Sequence, residues 1–424
     1  MKWNEAKKGQ SFCVLPFIHS ATLTDGSIPL CCVSKSSSKI DLNESTMEDY
    51  WNSSYVKDIR RKMLQGEQIK DCSRCYEEEK SGYRSHRLIE NKAWEEKLGE
   101  KSLSDILSKV DGSGHTEQGI VSVDLRLGNT CNLQCVMCRP QDSSKWKSAT
   151  PNLLRELSER KLSEEWREKN NINIKKFEWY KNVNFWEHLK SCLPTLRELI
   201  IGGGEPMLIK EHLEFIKFCV KSGEAQHIHL RYHTNMTVFP EEMIPYWSQF
   251  ERVEFFASID GMGEVADYVR YPSVWKDVKA NLLKVDQLGD NVWLRLLYSV
   301  HALNIKHLPE FLKWVNNQKF KKEKLFLGTQ SFVHPGIVHW PEYLNIKVLP
   351  QDYKDEITQD IKNMRAWYSH SDYDKYEGLI QFMNSEDWSE KIPLTRDYVK
   401  ALDKTRKTDS FSVFPELSEH LLSY

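Results

Sequence analysis

Between about residues 120 and 335 the apolar positions follow two alternating rhythms. Stretches rich in β-branched and aromatic residues, Val121–Leu127, Leu196–Ile201, His227–Thr234, Arg252–Ile259, Val292–Val300 and Lys324–Phe332, read as strands. Between them lie segments with the 3.6-residue period of amphipathic helices: Lys210–Lys221, Glu241–Gln249, Trp275–Leu288 and Leu308–Asn316. A very polar stretch at about 141–190 adds helical patches such as Pro151–Lys161. Six strands with intervening helices predict an α/β fold whose parallel sheet is built from βα units. A partial, TIM-like (β/α)6 barrel is the expected form, and a doubly wound sheet is the alternative.

Strand alternation also sorts the faces of that sheet. Ser122, Asp124 and Arg126 share one face of the first strand, and His227, His229, Arg231 and His233 share one face of the third. Glu254, Phe256 and Ser258 lie together on the fourth, and Arg295, Ser299 and His301 on the fifth. Helices need an apolar sheet face to pack on, so the polar faces are expected to point into the lumen. Asp124, Arg126, Arg231, His233, Glu254, Arg295 and His301 are therefore the candidates for contact with a substrate, with no catalytic group singled out among them. Their arginines favour an anionic ligand if the set binds one. The competing expectation is a ladder of ion pairs that fills the barrel, since buried charges must be paired.

Upstream, Phe12–Phe17 and Thr24–Cys32 read as two short strands around an Asp25-Gly26 turn, followed by a helical stretch at Met47–Gln65. From Glu90 to Gly119 the chain is charged and turn-rich, a boundary signal. The expected organisation is a cysteine-rich module over 1–90, a linker over 91–119, a core barrel over 120–335 and an extension over 336–424 that packs on it.

Composition narrows the function. A formal charge of −2 over 424 residues argues against a broad nucleic-acid surface. No run of eighteen apolar residues predicts a membrane span, and the polar start Met1-Lys2-Trp3-Asn4-Glu5 lacks an apolar signal segment. A cytoplasmic location is expected, and ten cysteines in that reducing compartment point to metal or cluster ligation rather than disulfides.

Three of those cysteines follow the first core strand directly, in Gly128-Asn129-Thr130-Cys131-Asn132-Leu133-Gln134-Cys135-Val136-Met137-Cys138. Thiolates suit zinc and iron–sulfur clusters. A structural zinc site needs a fourth ligand, and the nearest downstream histidine or cysteine is His188, some fifty residues on. Three thiolates suit a four-iron cluster with one open iron. Ile201-Gly202-Gly203-Gly204-Glu205-Pro206 ends the second strand, Thr234-Asn235 the third, and Ala257-Ser258-Ile259-Asp260-Gly261 the fourth.

Together these motifs resemble the radical S-adenosylmethionine (SAM) superfamily. The resemblance implies a [4Fe-4S] cluster on Cys131, Cys135 and Cys138, with SAM contacts at Gly203, Gly204, Glu205, Thr234, Ser258 and Arg270. It further implies a one-electron donor such as flavodoxin or ferredoxin. SAM would be cleaved reductively, and the 5′-deoxyadenosyl radical would take hydrogen from a substrate. Asp260 reads equally well as a ligand group or a turn former.

The amino-terminal cysteines, with Asp71-Cys72-Ser73-Arg74-Cys75 after the paired Cys31-Cys32, resemble the SPASM and twitch modules of that superfamily. The resemblance extends to twitch-domain radical SAM proteins with the module placed first. It implies a second, auxiliary four-iron cluster on Cys13, Cys31, Cys72 and Cys75, with Cys32 spare. A zinc site on the same cysteines is the alternative, and a non-catalytic zinc-binding interaction protein is the competing function. The substrate is expected to be a small polar metabolite, nucleotide or sugar, or a peptide side chain. No winged-helix peptide-binding module is evident, which tilts the expectation towards a small molecule.

Overall fold

Val292–Val300 alternates buried and half-buried residues along its whole length, as a strand with two unlike faces must. In the computed structural model, which describes residues 2–35, 37–82, 84–157, 160–169, 177–326, 332–366 and 370–422, it is β8 of nine strands. The others are β1 (His19–Ala21), β2 (Ser27–Pro29), β3 (Ser37–Asp41), β4 (Ser122–Leu127), β5 (Glu198–Gly203), β6 (His229–Thr234), β7 (Arg252–Ser258) and β9 (Val333–Ile337). Seven form one sheet in the order β1-β4-β5-β6-β7-β8-β9, and β2 pairs antiparallel with β3 apart from it. Parallel register links β1 to β4, β4 to β5, β7 to β8 and β8 to β9. Neighbouring strands that follow one another in sequence, with helices between, are the βα repeat expected of a partial barrel.

The sheet has one strand more than the hydrophobic pattern predicts. Phe12–Phe17 is not a strand: Leu15–Ile18 is a helical turn with Pro16 in its first positions, where a missing N–H costs nothing. The next three residues, His19–Ala21, form β1 and pair with β4. The Met47–Gln65 helix is two helices, Met47–Trp51 and Ser54–Leu64. Ser53 is extended and caps the second, its side chain accepting from Val56 N at 3.3 Å. Glu241–Gln249 shortens to a 3-10 turn and the helix Ile244–Trp247. The last expected strand, Lys324–Phe332, begins inside a 3-10 helix, Lys321–Phe326. Residues 327–331 lie outside the described part, and the strand runs over Val333–Ile337 instead. Within residues 91–119 runs most of the helix His86–Ser108, broken at Gly99, whose φ of 75° is left-handed.

The chain divides into two units. The first comprises Met1–Gly128, Lys175–Arg231 and Pro245–Arg252; the second comprises Asn129–Ile174, Tyr232–Ile244 and Val253–Tyr424. In the first, Trp3, Phe12, Phe17, Ile59, Met63, Trp94 and Leu103 belong to one core that also takes in the half-buried Cys31 and Cys72. In the second, the apolar face of β8 meets the helix Leu308–Gln318, with Tyr298 and Phe311 ring centres 5.0 Å apart. The apolar sheet face goes to the helices, as the alternation predicts.

Candidate functional sites

In the second unit the cysteine loop is held by backbone and side-chain bonds on several sides. Gln134 N and Val136 N donate to the carbonyls of Tyr271 and Val269 at 2.6 and 2.8 Å. From the helix Ser144–Glu156, Ser144 Oγ accepts from Cys131 N at 3.2 Å, and Trp146 Nε1 donates to the Cys135 carbonyl at 2.9 Å. From the helix Ile392–Arg406, Tyr398 donates to the Val136 carbonyl at 2.8 Å and Arg406 to that of Gln134. The Arg406 guanidinium lies over the rings of Trp146 and Tyr271, 5.3 and 5.1 Å from their centres. Loop carbonyls at Gln134, Cys135 and Val136 thus each find a donor, so the backbone between the cysteines is fixed without metal.

Cys131 and Cys135 stand near enough to Cys138 to act on its thiol. Burial pushes the Cys138 thiol well up, and Cys135 and Cys131 push it further. Burial also raises Cys135, against the pull of Arg270 and Arg406. Arg270 Nη1 stands 3.7 Å from Cys135 Sγ, and Asn235 Nδ2 stands 3.9 Å from Cys131 Sγ. Asn235 also donates to Asn132 Oδ1 at 3.0 Å, and Asn132 in turn to Thr237 at 2.8 Å.

Asp260 is more than a turn former. It is wholly buried, pairs with Arg270 at 2.6 Å and accepts from Ser299 N at 2.6 Å. Burial pushes its carboxyl up and Arg270 pulls it back; against its own burial, Arg270 is held charged by Asp260 and Cys135. The guanidinium therefore bridges Asp260 and the Cys135 sulfur. Thr234 is buried and accepts from Met236 N at 3.1 Å, where Met236 has a left-handed φ of 60°. Ser258 ends β7 and is half-buried.

In the first unit, Gly203 ends β5 with φ 120°, and a Cβ there would meet Leu127 N at 2.7 Å and the Gly128 carbonyl at 2.9 Å. Only glycine permits that approach of two strand ends. Gly204 N donates to the same Gly128 carbonyl at 3.0 Å. Glu205 is buried, with Oε1 accepting from Met207 N at 3.1 Å.

The amino-terminal thiols also gather. Cys13, Cys31, Cys72 and Cys75 line one recess of about 20 Å³, while Cys32 stands outside it with Sγ 3.5 Å from His86 Nε2. Burial, then neighbouring thiols, push Cys72 up to about 12. Cys31 also rises to about 12, mainly through burial, and Cys13 rises well above its usual value. Among the described residues no three such side chains close on a point tightly enough for a single metal ion. The donor set is chemically right for an iron–sulfur cluster, whose positive irons would turn the mutual repulsion of four thiolates into attraction. The three-thiol loop fits such a cluster by the same chemistry.

The lumen candidates resolve mostly into ion pairs. Asp124 meets Arg126 at 3.0 Å, Glu198 meets Arg231 at 3.2 Å, and Glu254 meets Arg295 at 3.1 Å. Each arginine has its own carboxylate, so the preference for an anionic ligand loses its basis. His233 stacks on Phe256 with ring centres 4.9 Å apart. His301 does not share the face of Arg295 and Ser299, because β8 ends at Val300. It is fully buried, burial lowers its pKa to about 3, and its Nδ1 accepts from Leu303 N at 3.2 Å. The sequence reading passed over Glu198, which the alternation along β5 with Ile200 and Gly202 would have exposed. Trp146, eleven residues from its partner Cys135, is likewise absent from the sequence candidates, as are Tyr398 and Arg406, whose partners are too distant in sequence for any local signal.

No family model and no curated protein matches the sequence. Among solved structures, the chain is similar to the anaerobic sulfatase-maturating enzyme anSMEcpe with bound AdoMet (18% identity, TM-score 0.39, covering 62% of this chain and 61% of that one). It is also similar to SuiB of Streptococcus suis bound to the precursor peptide SuiA (11%, TM-score 0.32, covering 67% and 56%). The same SuiB bound to S-adenosylmethionine matches at 10% and TM-score 0.30, covering 72% and 70%. The match spans about three fifths of the length of anSMEcpe.

Proposed function

We propose that the chain is a radical SAM enzyme acting on a substrate yet to be identified. The observation that carries this reading is the grouping of three mutually interacting thiols on one loop whose backbone is fixed by its own contacts. A four-iron cluster on Cys131, Cys135 and Cys138 would supply the electron that splits SAM reductively and so makes hydrogen abstraction possible. Arg270, anchored by Asp260, holds positive charge beside the Cys135 sulfur and favours its thiolate. Glu205, Thr234, Ser258 and Arg270, with Gly203 and Gly204, are the SAM contacts that the motifs imply, Glu205 pairing with the ammonium group.

Cys13, Cys31, Cys72 and Cys75 are assigned to an auxiliary cluster. Four protein thiolates would cap all its irons, which suits electron transfer or structural support rather than SAM binding. Among the described residues no helix is long and apolar enough to cross a membrane. The free thiols accord with a reducing, cytoplasmic compartment, and the motifs imply a one-electron donor such as a flavodoxin or ferredoxin.

Anaerobic reconstitution followed by iron and sulfide analysis tests the assignment. About eight irons and eight sulfides per chain are expected for two four-iron clusters. The electron paramagnetic resonance of one cluster should shift when SAM is added. Zinc in place of iron at both sites would end the enzyme reading.

A further inference from the structure

A cavity of about 460 Å³ opens in the first unit between the early halves of β4, β5 and β6 and the helix His86–Ser108. That size is ordinary for a small-molecule pocket. Asp124, Glu198 and Arg231 stand on its strand wall, Glu90 and Lys97 on its helix wall, and His19 of β1 beside them. Glu198 takes up both cations of that group, with Lys97 at 3.6 Å and Arg231 at 3.2 Å. It also accepts from the Ser122 hydroxyl at 3.1 Å. With its only proton given to Glu198, Ser122 must accept from His19 Nδ1 at 2.9 Å, which leaves His19 Nε2 an acceptor in the neutral ring.

Besides the exposed Glu251, two carboxylates are left over. Asp124 shares Oδ2 with Arg126 at 3.0 Å, but its Oδ1 is buried without a hydrogen-bond partner, on a side chain only 9% exposed. Glu90 accepts from Trp94 Nε1 at 3.2 Å and stands 3.8 Å from His86 Nδ1. Burial, and next the charge of Glu198, push its carboxyl up, so the cavity as it stands disfavours the anion. A buried acceptor without a donor is unfavourable unless something supplies the proton. Of the lining cations Lys97, Arg231 and Arg252, the first two are already on Glu198 and the third follows the lining carboxylate Glu251 in sequence, whereas a cationic donor would complete Asp124 and Glu90 together.

We propose that this cavity binds a small primary amine, whose ammonium group donates to Asp124 Oδ1 on the strand wall and pairs with Glu90 on the helix wall. The assignment rests on no part of the radical SAM reading.

Calorimetric titration of the full chain with putrescine, ethanolamine and butylamine, against 1,4-butanediol as the uncharged control, tests it. Saturable one-site binding of at least one amine is expected, with none for the diol. Asp124→Asn and Glu90→Gln should each weaken amine binding about tenfold or more. Glu90 lies on a half-exposed helix position, so Glu90→Gln keeps the test open if Asp124→Asn does not fold. The proposal is overturned if no amine binds saturably, if the diol binds as well as the amines, or if the folded variants keep wild-type affinity. Iron content and SAM binding, measured on the same samples, read the cluster assignment separately.

Discussion

The two cysteine groups reach their arrangement by opposite physical routes. The central loop keeps Cys131, Cys135 and Cys138 together through polar contacts: carbonyls satisfied by Trp146, Tyr398 and Arg406, and a buried Asp260–Arg270 pair at the Cys135 sulfur. The amino-terminal group stands in apolar surroundings, with Cys13 in the core of Trp3, Phe12 and Met63, and Cys31 and Cys72 packed against it. Guanidinium groups partly compensate a thiolate in the first case. In the second, burial raises the thiols most and their mutual repulsion adds to it. The central loop should therefore keep its shape without metal, and the amino-terminal group should depend on metal for its fold.

The largest separation of the two is expected from the double variant Cys72→Ala, Cys75→Ala. After anaerobic reconstitution it should lose about half its iron if the amino-terminal thiols hold the proposed second four-iron cluster. Limited proteolysis should then cut first within residues 1–90. Full iron retention, with zinc in the wild-type protein, would replace the auxiliary cluster by a structural zinc site.

Next in size is a pH effect confined to the metal-free protein. Cys31 and Cys72 ionise at about 12 when folded, against 9.0 as the reference, so the folded state holds their protons more tightly. Stability from these groups is full below pH 9 and falls as pH rises from there towards 12. Urea midpoints of the metal-free chain should drop across that window, and metal loading should abolish the drop. An unchanged midpoint would mean that the thiols are not buried together.

Asp260→Asn should destabilise the second unit by about 3–5 kcal/mol, because it leaves the buried Arg270 charge without its partner. Chemical denaturation measures this, and a loss under about 1 kcal/mol would show that the Cys135 sulfur alone neutralises Arg270. Tyr398→Phe should have the smallest effect, about 1 kcal/mol for one lost bond to the Val136 carbonyl, with iron binding retained.

What the sequence made legible depended on the range of the contacts. The run Lys210–Lys221 appears as a helix with the predicted limits, and β8 spans the predicted Val292–Val300, because periodicity is a local signal. The cysteine spacing alone marks both thiol groups. It chose Cys31 over Cys32 only by motif position, whereas burial around the recess separates the two. Strand His19–Ala21 was hidden because three residues are too few to show alternation, and its pairing partner β4 lies a hundred residues away. His301 lies one residue past the end of β8, where strand alternation no longer assigns a face. The pairing of Glu198 with Arg231, which cancels the apparent excess of positive charge, joins different strands and becomes visible only in three dimensions.

The central claim is tested most directly by incubating the reconstituted wild-type chain and Cys135→Ala with SAM and dithionite under anaerobic conditions and measuring 5′-deoxyadenosine. The account predicts its formation by the wild-type protein and none by Cys135→Ala, which should remain folded and soluble because the loop backbone is held by contacts outside the thiol. Wild-type rates of 5′-deoxyadenosine formation in Cys135→Ala, or no product from an iron-loaded wild-type chain, would contradict it.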